Sequence, residues 1–275
     1  MNGAAAFLRA CRLDVAVRKP GNVSFASAGH RMEAEMFLAS AEAAAPALFE
    51  ANAPVGRRIE GAIAATWDAV GCNTNLGIVL LCAPIAAAVD GLTAPLDATT
   101  LRDATRRVID GLDLADANAA FRAIAMANPG GLGKVEDQDV NAAPTMDLRA
   151  AMQLAADRDR IAWQYGNGFE DVFVRGLGAL PTGFDPRVDE GLVAPAVQAL
   201  FMTLLGAFED SHIVRKHGLT VAHSVMSAAQ ALQGRLDEIS LAAWDESLKS
   251  EGINPGTTAD LTVATLFVAG LVATA

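Results

Sequence analysis

Gly71-Cys72-Asn73-Thr74-Asn75-Leu76-Gly77 separates two apolar runs. The run behind it, Ile78-Val79-Leu80-Leu81-Cys82-Ala83, has no polar face and reads as a helix buried on every side. The first turn of a buried helix leaves backbone N–H groups without intrahelical partners. Asn73, Thr74 and Asn75 are capping residue types, and with the helix dipole they also offer an anion a seat. Capping alone accounts for the triplet equally well, so the meaning of the stretch depends on what surrounds it.

Upstream, residues 55–70 keep helical spacing through Ile59, Ile63, Thr66, Trp67 and Val70. A helix is expected from Arg31 to Ala45, its end bracketed by Pro46 and Pro54. Another spans residues 3–17 and stops at Lys19-Pro20-Gly21-Asn22. Downstream, helices are expected near 98–112, 114–127, 145–164, 168–179, 188–209, 219–233 and 237–249, with a last one carrying Leu261, Ala264, Val268 and Leu271. Asn128-Pro129-Gly130-Gly131-Leu132-Gly133-Lys134 begins a long polar loop that lacks the spacing and preceding strand of a P-loop. No strand-like alternation appears. The reading is one all-α domain over residues 1–275.

Composition agrees. Of 275 residues, 52% are hydrophobic, many of them alanine, and β-branched runs are scarce. The net charge of −11 disfavours nucleic acid and anionic membrane surfaces, without excluding an anionic small molecule held by a local basic cluster. No apolar run is long enough to span a membrane. Three cysteines without a CxxC pair suit a reduced, cytoplasmic protein. Cys72 suits a small buried thiol better than a nucleophile. The alanine-rich helices suit a homodimer interface as well as a tight monomeric core.

Four polar turns share one design: Lys19 to Ser24 with His30, the Asn73 stretch, Asp210 to His217, and Asn254 to Asp260. Lys19, Arg215 and Lys216 supply cations for a phosphorylated small molecule. Asn22, Ser24 and Thr257 add hydrogen-bonding groups, and Gly21, Gly77 and Gly256 permit close backbone approach. Asp210 and Asp260 have the chemistry to hold Mg²⁺ beside phosphate oxygens, with a helix-capping or surface role the favoured alternative for each. His30, at an expected helix start, is a candidate base. Asp157 and Asp159 alternate with Arg158 and Arg160, the usual pattern of a solvated face, with a metal role for Asp159 the lesser alternative.

In order and spacing, these segments resemble the triphosphoribosyl-dephospho-CoA synthase family. Lys19-Pro20-Gly21-Asn22-Val23-Ser24 is similar to its KPG segment, and Gly71 to Gly77 to its GxNTHKG segment. Asp210-Ser211 with Arg215 is similar to its DSxxxR region, and Asn254-Pro255-Gly256-Thr257-Thr258-Ala259-Asp260-Leu261 to its NPGGxADL. The resemblance implies an all-helical cytoplasmic transferase of coenzyme biosynthesis that joins a ribose hydroxyl of dephospho-CoA to C1′ of ATP and releases adenine. Lys19, Arg215, Lys216 and the Asn73, Thr74, Asn75 and Gly77 turn would hold the triphosphate. His30, Asp210 or Asp260 would manage charge and protons. Asn75 and Leu76 stand where the family pattern has His and Lys, and Thr257 where it has a second Gly. This form resembles a divergent branch of one-carbon metabolism, tied to methanopterin- or methanofuran-type carriers, whose acceptor is another phosphorylated precursor. A helical scaffold whose turns are only caps is the remaining alternative.

Overall fold

Fourteen α-helices and one π-helical turn carry the described residues of the computed structural model (2–93, 95–127, 142–235 and 237–272), with no strand among them. In chain order they are α1 (Gly3–Ala16), α2 (Ala34–Leu48), α3 (Val55–Val70), α4 (Leu76–Asp90), α5 (Ala98–Asp110), α6 (Leu114–Ala127), α7 (Leu148–Ala155) and α8 (Arg160–Gly166). The π-helical turn Asp171–Gly176 then runs into α9 (Leu177–Ala179). There follow α10 (Glu190–Leu205), α11 (Ser211–His217), α12 (Leu219–Leu232), α13 (Glu238–Ser250) and α14 (Gly256–Val272).

Two rods make the centre. Helix α4 is the predicted apolar run, and α14 buries every residue from Leu261 to Leu271. Neither has a polar face because neighbours cover all sides. Helices α1, α10 and α11 and the π turn pack on α14, while α2, α3, α5 and α8 pack on α4, and the two rods touch each other. β-branched residues in α14 cost a few tenths of a kcal/mol each in propensity, whereas each fully buried large apolar side chain contributes about 2 kcal/mol. Packing therefore sets this helix. Two of its buried hydroxyls are satisfied locally: Thr262 and Thr265 donate to the carbonyls of Thr258 and Leu261, both at 2.8 Å.

Several expected boundaries move. Helix α2 begins at Ala34, not Arg31, because His30 and Arg31 adopt left-handed φ values of 55° and 64° and Gly29 bridges Met32. Pro46 lies inside α2, in its last turn, instead of ending it. The helix expected over 145–164 is two, because Asp159 leaves the helical conformation and caps α8 through the N–H groups of Ile161 and Ala162. The helix expected over 188–209 ends at Leu205, and its polar tail is a helix of its own, α11. Residues 128–141, which hold the glycine-rich stretch, lie outside the described residues.

Candidate active site

The turns before α2, α4 and α14, and helix α11 itself, far apart in sequence, open onto one cavity of about 580 Å³. Asn22 and His30, Asn73 to Gly77, His212 to Lys216, and Asn254 to Asp260 all supply lining residues. Asn22 Nδ2 donates to Asn254 Oδ1 at 3.3 Å, tying the first turn to the last.

At the central turn the three capping types divide their work. Asn73 alone caps α4, its Oδ1 accepting from Leu76 N–H at 3.1 Å. Thr74 reaches sideways to Ser40 of α2, with the hydroxyls 2.5 Å apart. Asn75 is 4% exposed; its Nδ2 donates to Thr66 Oγ1 at 2.9 Å and to the Ser40 carbonyl at 3.4 Å. Its Oδ1 is buried and receives no hydrogen bond.

Gly77 faces the Asp260 carboxylate so closely that an added Cβ would lie 2.0 Å from Oδ2. The close approach expected for a ligand is thus used by a protein carboxylate, which itself lines the cavity. Asp260 accepts no hydrogen bond among the described residues. Burial raises its pKa well above the ordinary carboxylate range, and the nearby charges of Asp14 and Asp210 raise it further. Asp14, on α1, also lines the cavity, and burial raises its pKa against the opposing effect of Lys19.

Two of the expected site residues are placed inside the protein, not against the cavity. Lys19 is not a clamp lining the cavity. It is fully buried, its ammonium 3.0 Å from Asp14 Oδ1, bonded to the carbonyls of Asp14 and Val17 and lying over the Phe201 ring. Asp210 is not a ligand-facing acid. One oxygen caps α11 at His212 and Ile213, and the other accepts from the Thr258 N–H and hydroxyl at 2.7 and 2.8 Å. Both oxygens are thus engaged inside the protein, as a cap and as the partner of Thr258. Among the described residues no three His, Cys, Asp or Glu groups stand together as a metal site.

Gly21 serves packing. With φ at 72°, it donates its N–H to Asp245 at 2.9 Å and lies against the Ile253 carbonyl. Ser24 and Thr257 are buried outside the cavity lining, whereas Gly256 lines it beside the His212 ring. Cys72 lines the cavity and is partly exposed, contrary to the buried thiol expected.

Two histidines face the cavity. His30 Nε2 donates to the Gly21 carbonyl at 2.8 Å, leaving Nδ1 as the basic nitrogen; burial lowers its pKa. His212 Nε2 is buried without a partner, and burial lowers its pKa to about 3, so the ring is neutral at ordinary pH. Arg158, Arg215 and Lys216 supply the positive charge. Arg215 is held by Asp159 at 2.7 Å.

Sequence reasoning missed Asp14 and Arg158, and read Asp159 as part of a solvated face. The break of the helix at Asp159 turns Arg158 and Asp159 toward the cavity, and the Asp-Arg alternation carried no sign of that break. The apolar lining by Trp67, Phe121 and Met152 was read only as helix core.

An all-helical chain that gathers cations, an orphan carboxyl and buried unpaired acceptors around one cavity has the equipment of a group-transfer enzyme acting on a phosphorylated small molecule. Residues 2–275 match the CitG family, ATP:dephospho-CoA triphosphoribosyl transferase, and the chain belongs to that family of transferases. It is also similar to the crystal structure of a provisionally assigned triphosphoribosyl-dephospho-CoA synthase from Archaeoglobus fulgidus. That match has 26% identity and a TM-score of 0.71, covering 86% of this chain and 96% of the other. No curated protein is significantly similar to the chain. No described helix is long and apolar enough to cross a membrane.

Proposed function

We propose that the protein transfers the triphosphoribosyl group of ATP to a ribose hydroxyl of dephospho-CoA and releases adenine. The observation that carries this reading is the convergence of the four family-like segments on one cavity, where Asp260 has no hydrogen-bonding partner among the described residues. The hydroxyl oxygen attacks C1′, the C1′–N9 bond breaks, and its electron pair leaves with adenine, which takes up a proton. Asp260 receives the hydroxyl proton. Its raised proton affinity suits that role, because a base is most effective when its pKa approaches the working pH. Arg158, Arg215 and Lys216 hold the triphosphate, and His30 Nδ1 accepts a hydrogen bond from the sugar.

Mg²⁺ fits the acids that remain. Asp260 and Asp14 line the cavity with hard oxygen donors, but Asp14 is paired with Lys19, so the triphosphate oxygens would supply most of the ligands of an ion held there. When bound, it screens the triphosphate charge.

A second reading keeps the cavity and changes the acceptor to a phosphorylated precursor of a methanopterin- or methanofuran-type carrier. Its support is the inner wall, where Asn75 and Leu76 replace a titratable group and a cation of the family pattern. Incubation with ATP and dephospho-CoA distinguishes the two. Free adenine with a triphosphoribosyl adduct supports the first; ATP binding without adenine release supports the second.

A further inference from the structure

Asp159 puts a negative charge among the cavity-lining residues that include Arg158, Arg215 and Lys216. A carboxylate there repels a triphosphate unless its charge is spent on something else. Its two oxygens divide. Oδ1 accepts from the N–H groups of Ile161 and Ala162 at 2.8 and 3.1 Å and starts α8. Oδ2 accepts from Arg215 Nη1 of α11 at 2.7 Å. Beside it, the Arg160 N–H donates to Ser211 Oγ at 2.8 Å, so the start of α8 is fastened to the start of α11 as well. The Arg160 guanidinium is taken up by the buried Asp171 at 2.7 Å, which leaves Asp159 to Arg215. Arg215 also differs from the other two cations. Arg158 and Lys216 are exposed and make no side-chain hydrogen bond among the described residues. The Arg215 side chain is 19% exposed, and its bond among those residues is the one to Asp159. A guanidinium already held in place loses less freedom when it meets a ligand.

We propose that Asp159 is a positioning residue, which fixes the Arg215 guanidinium at the cavity for the phosphate groups of the ligand. The inference rests on the reading of Arg215 as part of a triphosphate clamp. Asp159 acts through Arg215, and because the same carboxylate caps α8, the guanidinium is set against a helix end. The pair carries little net charge. Arg158 and Lys216 therefore supply the attraction for the triphosphate, and Arg215 supplies direction. The sign of a substitution separates this role from that of a bystander. Neutralising a bystander carboxylate beside these cations tightens triphosphate binding; neutralising a positioning one loosens it.

Titration calorimetry of ATP with the intact protein, beside a urea melt of each variant, tests this. In Asp159→Asn the amide oxygen can still cap α8, since Asn caps as well as Asp, but the charge that holds Arg215 is gone. The variant is expected to melt close to wild type and to bind ATP about tenfold more weakly, the worth of one charge-assisted hydrogen bond. Asp159→Ser, another capping type and too short to reach Arg215, is the second variant and is expected to behave alike. Arg215→Met weakens ATP binding too, and in that background Asp159→Asn is expected to cost nothing further. ATP bound by folded Asp159→Asn as tightly as by wild type, or more tightly, overturns this inference alone. A further loss in the Arg215→Met background also overturns it, because Asp159 would then act by itself. Weaker binding only in step with a lowered urea midpoint, in both variants, reduces Asp159 to a cap and overturns it as well. Folded wild type that binds no ATP overturns the nucleotide reading together with this inference.

Discussion

The contact between Gly77 and Asp260 is the tightest constraint at the scale of single residues. An added methyl at 77 would meet Asp260 Oδ2 at 2.0 Å and the Ile161 side chain at 2.5 Å. Gly77→Ala is therefore expected to push the carboxyl out of place and lower kcat by roughly 10- to 100-fold, with an overpacking cost of about 1–3 kcal/mol. Steady-state kinetics with a denaturant melt would check both; an unchanged kcat would remove Asp260 from the chemistry. His212 carries a pH signature. Its folded pKa lies near 3 against an ordinary 6.5, so between those values the unfolded chain binds a proton that the folded chain refuses. The stability contributed by neutral His212 is full above about pH 6.5 and is lost as pH falls toward 3. His212→Asn should show a shallower loss of unfolding free energy between pH 7 and pH 4 than wild type; parallel curves would contradict the burial of this ring.

Among the elements, α11 and α14 are held together by one carboxylate. Asp210→Ala removes the α11 cap and the partner of the Thr258 N–H and hydroxyl, and should cost about 2–4 kcal/mol. A urea melt reads this directly; an unchanged midpoint with altered Mg²⁺ dependence would restore Asp210 as a ligand. This element also shows where sequence reading stops. Asp210, followed by a polar run, reads first as a cap or surface group and also as a metal ligand, because each wants a carboxylate at a helix end. Only the placement of Thr258 decides. The boundaries of α3 and α6 were legible because a Pro precedes one and apolar spacing is regular in both. The π-helical turn and the division between α7 and α8 were not, since each arises from packing and from a single backbone departure, not from a local pattern.

For the whole molecule, the legible part was the class: an apolar run without a polar face demands neighbours on all sides, and alanine-rich helices supply them. The direction of the cations was illegible. Lys19 sits in a family motif yet is buried against Asp14, because its ammonium is enclosed between α1 and Phe201 of α10. Lys19→Met leaves the Asp14 carboxylate buried with its partner lost and should destabilise the fold by about 3–5 kcal/mol. Thermal unfolding would check this, and a loss of ATP affinity at unchanged stability would return Lys19 to the clamp.

The central claim is that this cavity moves a triphosphoribosyl group. Its most direct test is the mass-spectrometric detection of free adenine after the protein is incubated with ATP, Mg²⁺ and dephospho-CoA. The account predicts adenine in step with a triphosphoribosyl adduct of dephospho-CoA, both abolished in Asp260→Asn. Folded wild-type protein that binds ATP and releases no adenine would contradict it.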